Sequence, residues 1–252
     1  MRTVVIFVGP AGAGKSTLLA AYARWLREFE GVKVFKVNLD PAADFIPYEP
    51  DFDVRSVVST RNVAVKYKLG PNGALVKSIE LITGELRSIV SEFCSVDADF
   101  ILVDTPGQME VFVFRDIAPK LIKLLKEYDN WLAATFVIDA SLVKNPEDYA
   151  FVAIMSTALQ ARLGIDVVPV MNKTDLAGRT DLVGDVVSDA EQVIKELYGR
   201  GVYGEMMAEV LKVIWSYAKA AKVPKVSAVT LEGIDELHRI IHEVTCSCGD
   251  LT

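Results

Sequence analysis

Hydrophobic residues along the chain form two alternating patterns. Short, almost continuously apolar runs rich in β-branched residues occupy residues 3–8, 32–38, 100–104, 133–139 and 166–171, and a short further strand candidate lies at 225–228. Longer segments with helical spacing lie at residues 15–29, 74–94, 147–162 and 232–244. Strands that are apolar on both faces and alternate with helices are typical of βα units on a parallel sheet. The pattern predicts a doubly wound α/β fold with a largely parallel sheet.

Two segments are longer than a minimal βα connection needs. Residues 41–73 contain several prolines and a modest helical stretch near 54–67. Residues 176–223 are predicted to form two helices, at 189–198 and 205–221, separated by Gly199 and Gly201. Insertions of this length usually carry function or contact a partner. We expect one domain over residues 1–252 with these two insertions.

The composition excludes several classes of protein. Hydrophobic residues make up 51% of the chain and charged residues 24%, which is the range of globular proteins. A net charge of -7 argues against nucleic acid as the main partner. No apolar run reaches membrane-spanning length, no signal-peptide pattern begins the chain, and three cysteines are too few for a disulfide framework. We expect no membrane partner and a cytoplasmic location.

A glycine-rich segment directly follows the first apolar run. Residues 9–16 read Gly-Pro-Ala-Gly-Ala-Gly-Lys-Ser, the pattern of a phosphate-binding loop between a strand and a helix. Such a loop points backbone N–H groups and a helix N-terminus at phosphate oxygens. Lys15 would reach the β- and γ-phosphates, and the Ser16 hydroxyl would ligate Mg²⁺. The expected nucleotide contacts in this segment are Gly12, Ala13, Gly14, Lys15, Ser16 and Thr17.

A second motif closes the apolar run at 100–104. Residues 104–108 read Asp-Thr-Pro-Gly-Gln, so Asp104 stands at the carboxyl end of a strand, where α/β sheets bind ligands. There Asp104 would hold Mg²⁺ through a water as the Walker-B acid. The backbone N–H of Gly107 would approach the γ-phosphate, with the flexibility that a segment rearranging on hydrolysis needs.

A third motif indicates which base is bound. Residues 172–175 read Asn-Lys-Thr-Asp. The Asp175 carboxylate can accept hydrogen bonds from N1–H and the exocyclic amine of guanine, whereas adenine has neither donor there. Asn172 can bond the other edge of the base, the Lys173 stem can pack over its plane, and the backbone at Ser227 and Ala228 can support it. The three motifs in this order predict GTP as the nucleotide.

A Gly-Pro-Asn tripeptide, Gly70, Pro71 and Asn72, lies between the phosphate loop and Asp104. With it, the chain resembles the GPN-loop GTPases over nearly its whole length. The matching segments also include 37–42 (Val-Asn-Leu-Asp-Pro-Ala), 104–110, 172–175 and 227–228, and residues 246–252 look like the tail of archaeal members.

The resemblance implies magnesium-dependent hydrolysis of GTP to GDP and phosphate by a homodimer. The Gly70–Asn72 loop of one subunit would reach the other subunit's active site, with the Asn72 amide near the γ-phosphate. Asp40 would orient the attacking water and the metal shell, and Gln108 and Glu110 are second candidates for the water. The implied catalytic residues are Lys15, Asp40, Asn72, Gln108 and Glu110, and the implied metal-binding residues are Ser16, Asp40 and Asp104. That loop contains no arginine, and the sequence places neither Arg55 nor Arg61 at the phosphates.

Two other functions remain open at this point. The chain would be a GTP-gated assembly factor if slow hydrolysis only resets a surface that binds a protein client; RNA polymerase subunits are the candidate client by analogy with eukaryotic relatives. An ATP-dependent kinase with a phosphate loop is the other alternative, and the Asn-Lys-Thr-Asp motif argues against it.

Two weaker patterns have ordinary structural interpretations. His238, His242, Cys246 and Cys248 resemble a zinc set, but they lack the usual zinc spacings, so a docked helix followed by a tail is favoured. Residues 119–126 are basic and amphipathic, and an ordinary surface helix is favoured over a membrane-binding one.

Overall fold

A computed structural model describes residues 2–176, 186–217 and 223–245 of the chain. Its sheet is built from β1 (Thr3–Val8), β2 (Val34–Asn38), β3 (Phe52–Asp53), β4 (Phe100–Asp104), β5 (Trp131–Asp139) and β6 (Asp166–Asn172). The spatial order is β3-β2-β4-β1-β5-β6, and every neighbouring pair is parallel. The predicted α/β fold with a parallel sheet is confirmed.

Helices cover both faces of this sheet. They are α1 (Lys15–Trp25), α2 (Thr60–Tyr67), α3 (Pro71–Cys94), α4 (Met109–Val113), α5 (Ile117–Lys126), α6 (Pro146–Leu163), α7 (Val186–Tyr198), α8 (Gly201–Tyr217) and α9 (Ile234–Thr245). One apolar cluster lies between the sheet and the layer of α3, α5 and α6, and a second lies under α1 and α9. Because both faces are buried, the strands are largely apolar between their ends.

The strand register brings polar residues to one edge of the sheet. Asp104 at the end of β4 is level with Phe7 on β1 and Asn38 on β2, and Asp139 on β5 is level with Asn172 on β6. Since all strands run in the same direction, their carboxyl ends share this edge. The phosphate loop follows β1 in the middle of it.

Local chemistry sets the ends of two long helices. Helix α3 begins at Pro71, three residues before the expected start at 74, because proline's fixed φ suits the first helical position and Gly70 is extended before it. Helix α6 begins with a capping box between Asn145 and Asp148 and ends at Gly164 in the left-handed conformation. The Gly-Pro-Asn tripeptide is therefore the start of a helix.

The strand expected at residues 225–228 is wrong. Only Lys225 forms a bridge with Met171, and Val226 N–H donates to Met171 O at 2.7 Å. The N–H of Ser227 instead donates to Glu232 O, and its carbonyl accepts from Leu231 N–H. The backbone turns at Ser227, so the sheet ladder does not continue.

Other helix and strand boundaries differ from the predicted ones for local reasons. The helical stretch expected at 54–67 is split into a 3₁₀ turn, Val54–Ser56, and α2. Helix α1 ends in a π-helical turn, Leu26–Glu30, followed by Gly31 with φ 66°, so β2 starts at 34. The second insertion helix starts at Gly201 rather than at 205. Strand β3 and helix α4 were not predicted, because segments of two and five residues are too short to show a period.

The insertion helices and α5 pack as ordinary amphipathic helices. Helices α7 and α8 bury Val193, Leu197, Ala208 and Leu211, and α5 buries Ile117, Ala118, Leu121, Ile122, Leu124 and Leu125. The favoured interpretation of residues 119–126 as part of a surface helix agrees with this packing. In the part of the chain that the structure describes, no helix has the length and apolar character needed to cross a bilayer.

Helix α9 carries a histidine that packs among aromatic rings. His238 Nδ1 lies 2.8 Å from the Tyr22 hydroxyl, and its ring contacts Trp25 and Phe100. Cys246 and Cys248 of the zinc alternative lie outside the described residues, and within 2–176, 186–217 and 223–245 no group of three His, Cys, Asp or Glu side chains suits a metal. The docking of α9 agrees with the favoured interpretation.

The His238 environment predicts a loss of stability in acid. Burial lowers the His238 pKa below its ordinary value of about 6.5, with His242 adding to the effect and Glu30 opposing it. The unfolded state therefore binds a proton at higher pH than the folded state does. Stability from the neutral ring is present above about pH 6.5 and is lost as pH falls through the lowered pKa. Between pH 7.5 and 5.5, the free energy of unfolding in urea should fall less for His238→Phe than for the unaltered protein. An equal fall in both proteins would contradict this role of His238.

Candidate nucleotide site

The phosphate loop has a backbone that requires glycine at fixed positions. Gly9 has φ 150°, and a Cβ there would lie 2.3 Å from Val137 O. Gly12 and Gly14 have φ values of 80° and 87°, in the left-handed region that other residues rarely adopt. The loop thus wraps closely over β5 and delivers its N–H groups to the start of α1.

Lys15, the first residue of α1, has a buried side chain. Its ammonium donates to Pro10 O across the loop at 3.2 Å. Burial lowers the Lys15 pKa, while the Asp104 and Asp40 carboxylates oppose that change. An anionic phosphate beside the ammonium would offset its cost of burial.

Asp104 is the most deeply buried acid of the site. Its Oδ2 accepts a hydrogen bond from the Tyr48 hydroxyl at 3.1 Å, whereas its buried Oδ1 has no hydrogen-bond partner. Burial raises the Asp104 pKa to about 6, against the opposing effects of Ser16, Lys15 and Tyr48. A cation at Oδ1 would satisfy this orphaned oxygen. Ser16, Asp40 and Asp104 supply the hard oxygen atoms that Mg²⁺ prefers, so the donor set fits magnesium completed by phosphate and water oxygens.

Asp40 connects the end of β2 to the segment after β4. Its Oδ1 accepts from Ala42 N–H at 2.9 Å, and its Oδ2 accepts from Gly107 N–H at 3.4 Å. Burial raises the Asp40 pKa, while these two N–H groups oppose the rise. Asn38 Oδ1 accepts a hydrogen bond from the Asp40 backbone N–H at 3.0 Å, and Asn38 Nδ2 donates to Asp53 Oδ1 at 3.0 Å. The carboxylate is therefore fixed on both oxygens beside Gly107.

Three separate segments meet at the expected base-binding end. Asn172 is 1% exposed, donates from Nδ2 to Ala13 O at 3.0 Å and accepts at Oδ1 from Ala228 N–H at 3.2 Å. The Ser227 hydroxyl donates to Asp175 Oδ1 at 2.6 Å. Asn172 thus ties the phosphate loop to residues 227–228, and Ser227 orients the acid expected to read guanine.

An ion pair with Asp139 fixes Lys173, two residues before Asp175. Its ammonium lies 2.7 Å from Asp139 Oδ2, and its backbone has φ 65°. Burial opposes ionisation of Asp139, but hydrogen bonds from Lys173 and Ser141 outweigh it and lower the Asp139 pKa. The lysine stem is thereby fixed at the carboxyl edge of β5 and β6, where a base plane can lie against it.

The Gly-Pro-Asn segment lies at the protein surface. Gly70, Pro71 and Asn72 are exposed, as are Gln108 and Glu110. Asn72 and Gln108 line the same cavity of about 370 Å³, together with Arg55 and Arg61. The structure therefore brings Asn72 beside the segment that follows Gly107, and it also places the two arginines there.

Several residues of the site were not among the predicted site residues. Asn38 and Asp139 end apolar strands, so their position at strand ends was a usable signal. Asp53 forms a bidentate ion pair with Arg55 and accepts a hydrogen bond from Asn38, and no sequence pattern indicates either contact. Tyr48 lies in an irregular loop, 56 residues from the Asp104 that it contacts, and no sequence signal indicates that contact.

Comparison with known proteins gives a consistent family. A family model described as "Conserved hypothetical ATP binding protein" matches residues 7–247. GPN-loop GTPase PAB0955 of Pyrococcus abyssi is 32% identical over 261 residues, covering 99% of this chain and 100% of that protein. Its crystal structure, described as a GTPase in apo form, superposes with a TM-score of 0.81 at 29% identity and covers 98% of both chains.

Two eukaryotic relatives are longer proteins. GPN-loop GTPase QQT1 of Arabidopsis thaliana is 33% identical over 69% of this chain and 58% of its own length. GPN-loop GTPase 2 of Schizosaccharomyces pombe is 34% identical over 68% of this chain and 54% of its own length. The chain thus matches little more than half of each. On the full-length match, the shared structure and the Gly-Pro-Asn segment, the chain belongs to the GPN-loop GTPases, a family of GTP-hydrolysing enzymes.

Proposed function

We propose that this chain is a magnesium-dependent GTPase that works as a homodimer, with the Gly70–Asn72 segment acting at the partner's active site. One observation carries the proposal. The phosphate loop, the buried Asp104, the half-buried Asp40 and the Asp175–Ser227 pair lie along one sheet edge, where hydrogen bonds connect Asp40 to Gly107 and Asn172 to the phosphate loop. That arrangement fits a nucleoside triphosphate, with phosphates at α1 and a guanine at residues 172–175.

Phosphoryl transfer depends on positioning and charge stabilisation more than on covalent help. The Gly12–Ser16 backbone and the Lys15 ammonium would hold the phosphate oxygens. Bound Mg²⁺ would neutralise negative charge on the phosphates, with Ser16, Asp104 and Asp40 as its protein ligands or ligands through water.

Asp40 is the residue best placed to orient the attacking water. Both of its oxygens are already fixed by Ala42 and Gly107, and the Gly107 N–H is expected at the γ-phosphate. Gln108 and Glu110 follow on the same segment, but both are exposed in the single chain. We assign the water to Asp40, with Gln108 and Glu110 as second candidates.

Exposed apolar side chains support the homodimer. The insertion that carries Asn72 leaves Phe45 81% and Val65 77% exposed, and Leu69 precedes the tripeptide at 37%. Large apolar side chains concentrated on one insertion indicate a surface that another protein covers. A second copy there would bring its own Asn72 to this site, since a two-fold interface uses the same surface on both subunits.

Base selection gives a direct test of the guanine assignment. Asp175→Asn should shift the preference from GTP to XTP by about 100-fold or more in kcat/KM, because an Asn amide can accept from N1–H while donating to the 2-oxygen of xanthine, but cannot accept from both donors of guanine as a carboxylate does. Ser227→Ala is the matched control: it frees the Asp175 carboxylate and should weaken GTP binding without changing the base preference. An Asp175→Asn protein that still prefers GTP would show that the base is read elsewhere.

A specific surface favours a second candidate, a GTP-gated assembly factor. Helix α8 exposes Val202, Tyr203, Met206 and Val213, each 55% exposed or more. Such a stripe suits a protein client, and RNA polymerase subunits remain the candidate. Fast GTP turnover by the chain alone would favour the enzyme; slow turnover with GTP-dependent binding of purified polymerase subunits would favour the switch.

A further inference from the structure

The loop between β2 and β3 brings one tyrosine to the buried acid of the nucleotide site. The Tyr48 hydroxyl donates to Asp104 Oδ2 at 3.1 Å. Its ring packs against the apolar cluster under α1. Tyr48 belongs to none of the nucleotide-binding motifs, so this contact adds a residue to the site.

Backbone and side-chain bonds to β2 fix the loop directly after that tyrosine, at residues 49 and 51. Lys36 N–H donates to Asp51 Oδ2 and Asp51 N–H donates to Lys36 O, each at 2.8 Å. The buried Lys36 ammonium also donates to Glu49 O. Lys36 is level with Leu102, two residues before Asp104 on the neighbouring strand. The position of Tyr48 relative to Asp104 is therefore set by the sheet itself.

The two carboxylate oxygens of Asp104 have different environments as a result. Oδ2 is occupied by the Tyr48 hydroxyl, whereas Oδ1 is buried and has no hydrogen-bond partner. Rotation of the carboxylate out of this plane would break the Tyr48 bond. The Tyr48 bond thus fixes the plane of the carboxylate and leaves its other oxygen without a hydrogen bond.

We propose that Tyr48 is a positioning residue that orients Asp104 for the divalent cation of the nucleotide site. This inference rests on the proposed function, because it assigns Asp104 to that cation. Groups that hydrogen-bond to a metal-binding carboxylate fix its orientation. Their loss commonly weakens metal binding by about 10- to 100-fold, and we expect a loss of that order when the Tyr48 hydroxyl is removed. Tyr48 would act only through Asp104 and would not contact the nucleotide.

Tyr48→Phe tests the inference because it removes the hydroxyl and keeps the ring. The measurement is binding of a fluorescent, non-hydrolysable GTP analogue, titrated with Mg²⁺ and repeated in EDTA. We expect the Mg²⁺ concentration for half-maximal effect to rise by about tenfold or more, with analogue affinity in EDTA unchanged. Tyr22→Phe is the matched control, since it removes a buried tyrosine hydroxyl bonded to His238 on the same side of the sheet and should leave the Mg²⁺ dependence unchanged.

The possible results separate this inference from the function on which it rests. An unchanged Mg²⁺ dependence in Tyr48→Phe, or an equal loss of affinity with Mg²⁺ and in EDTA, would overturn the positioning role while leaving the GTPase intact. If the unaltered protein bound the analogue but showed no effect of Mg²⁺, the metal site itself would be wrong, and the inference would fall with it. Absence of analogue binding by the unaltered protein would contradict both.

Discussion

Lys15→Ala should reduce GTP turnover by about 100-fold or more and weaken nucleotide binding. The Lys15 ammonium is buried at the start of α1 and is bonded to Pro10 O within the loop. It is the cation expected at the β- and γ-phosphates, where charge develops during transfer, and loss of one such donor costs about 100- to 1,000-fold. Steady-state phosphate release and nucleotide titration of the purified variant measure both effects.

Lys33→Ala serves as the control for that experiment. Lys33 lies just before β2, at the amino end of the sheet, and its exposed ammonium pairs with Asp97. Exposed pairs of this kind contribute little to stability, so turnover should stay near that of the unaltered protein. Unchanged turnover in Lys15→Ala would reject the assignment of residues 9–16 as the phosphate loop.

Asn72→Ala should lower kcat by about 100-fold while changing nucleotide affinity much less, because the amide is assigned to the transition state on the opposite subunit. Asn62→Ala, an exposed asparagine on α2, is the control expected to retain activity. The larger test is coexpression of Asn72→Ala with Asp40→Ala. Half of randomly formed dimers are mixed, and each would contain one intact site, so activity should recover to about a quarter of the unaltered level.

The alternative arrangement gives a different result in the same experiment. If Asn72 acted within its own chain, as its shared cavity with Gln108 permits, no mixed dimer would contain an intact site. Activity would then stay at the level of the separate variants. Lack of recovery, with mixed dimers verified by mass, would contradict the assignment of Asn72 to the partner's site.

The central strands were predictable because burial on both faces leaves a continuous apolar signal. Strand β4 has the expected bounds, and β1 leads into the phosphate loop as the motif requires. The strand predicted at residues 225–228 is wrong because Val226 and Ser227 are buried, as strand residues are, yet the backbone turns at Ser227 and bonds to Asn172 and Asp175. Hydrophobicity reports burial and does not report where backbone hydrogen bonds go.

The candidate site was predictable only where a local motif defines it. Ser16, Asp104 and Asp175 stand in fixed patterns, so their types and positions could be interpreted from the chain alone. Tyr48 and the bridging role of Asn172 depend on contacts across 56 and 159 residues, and no spacing rule encodes them. Such contacts follow from strand order, which the sequence pattern does not specify uniquely.

Phosphate release with Mg²⁺, comparing GTP with ATP on the purified protein, tests the central claim most directly. The matched family model is described as ATP binding, whereas the relatives are GPN-loop GTPases, and the Asp175–Ser227 pair favours guanine. We predict phosphate release from GTP, abolished by EDTA, with ATP hydrolysed at least ~100-fold less efficiently in kcat/KM. Hydrolysis of ATP at an equal or higher efficiency would contradict the account.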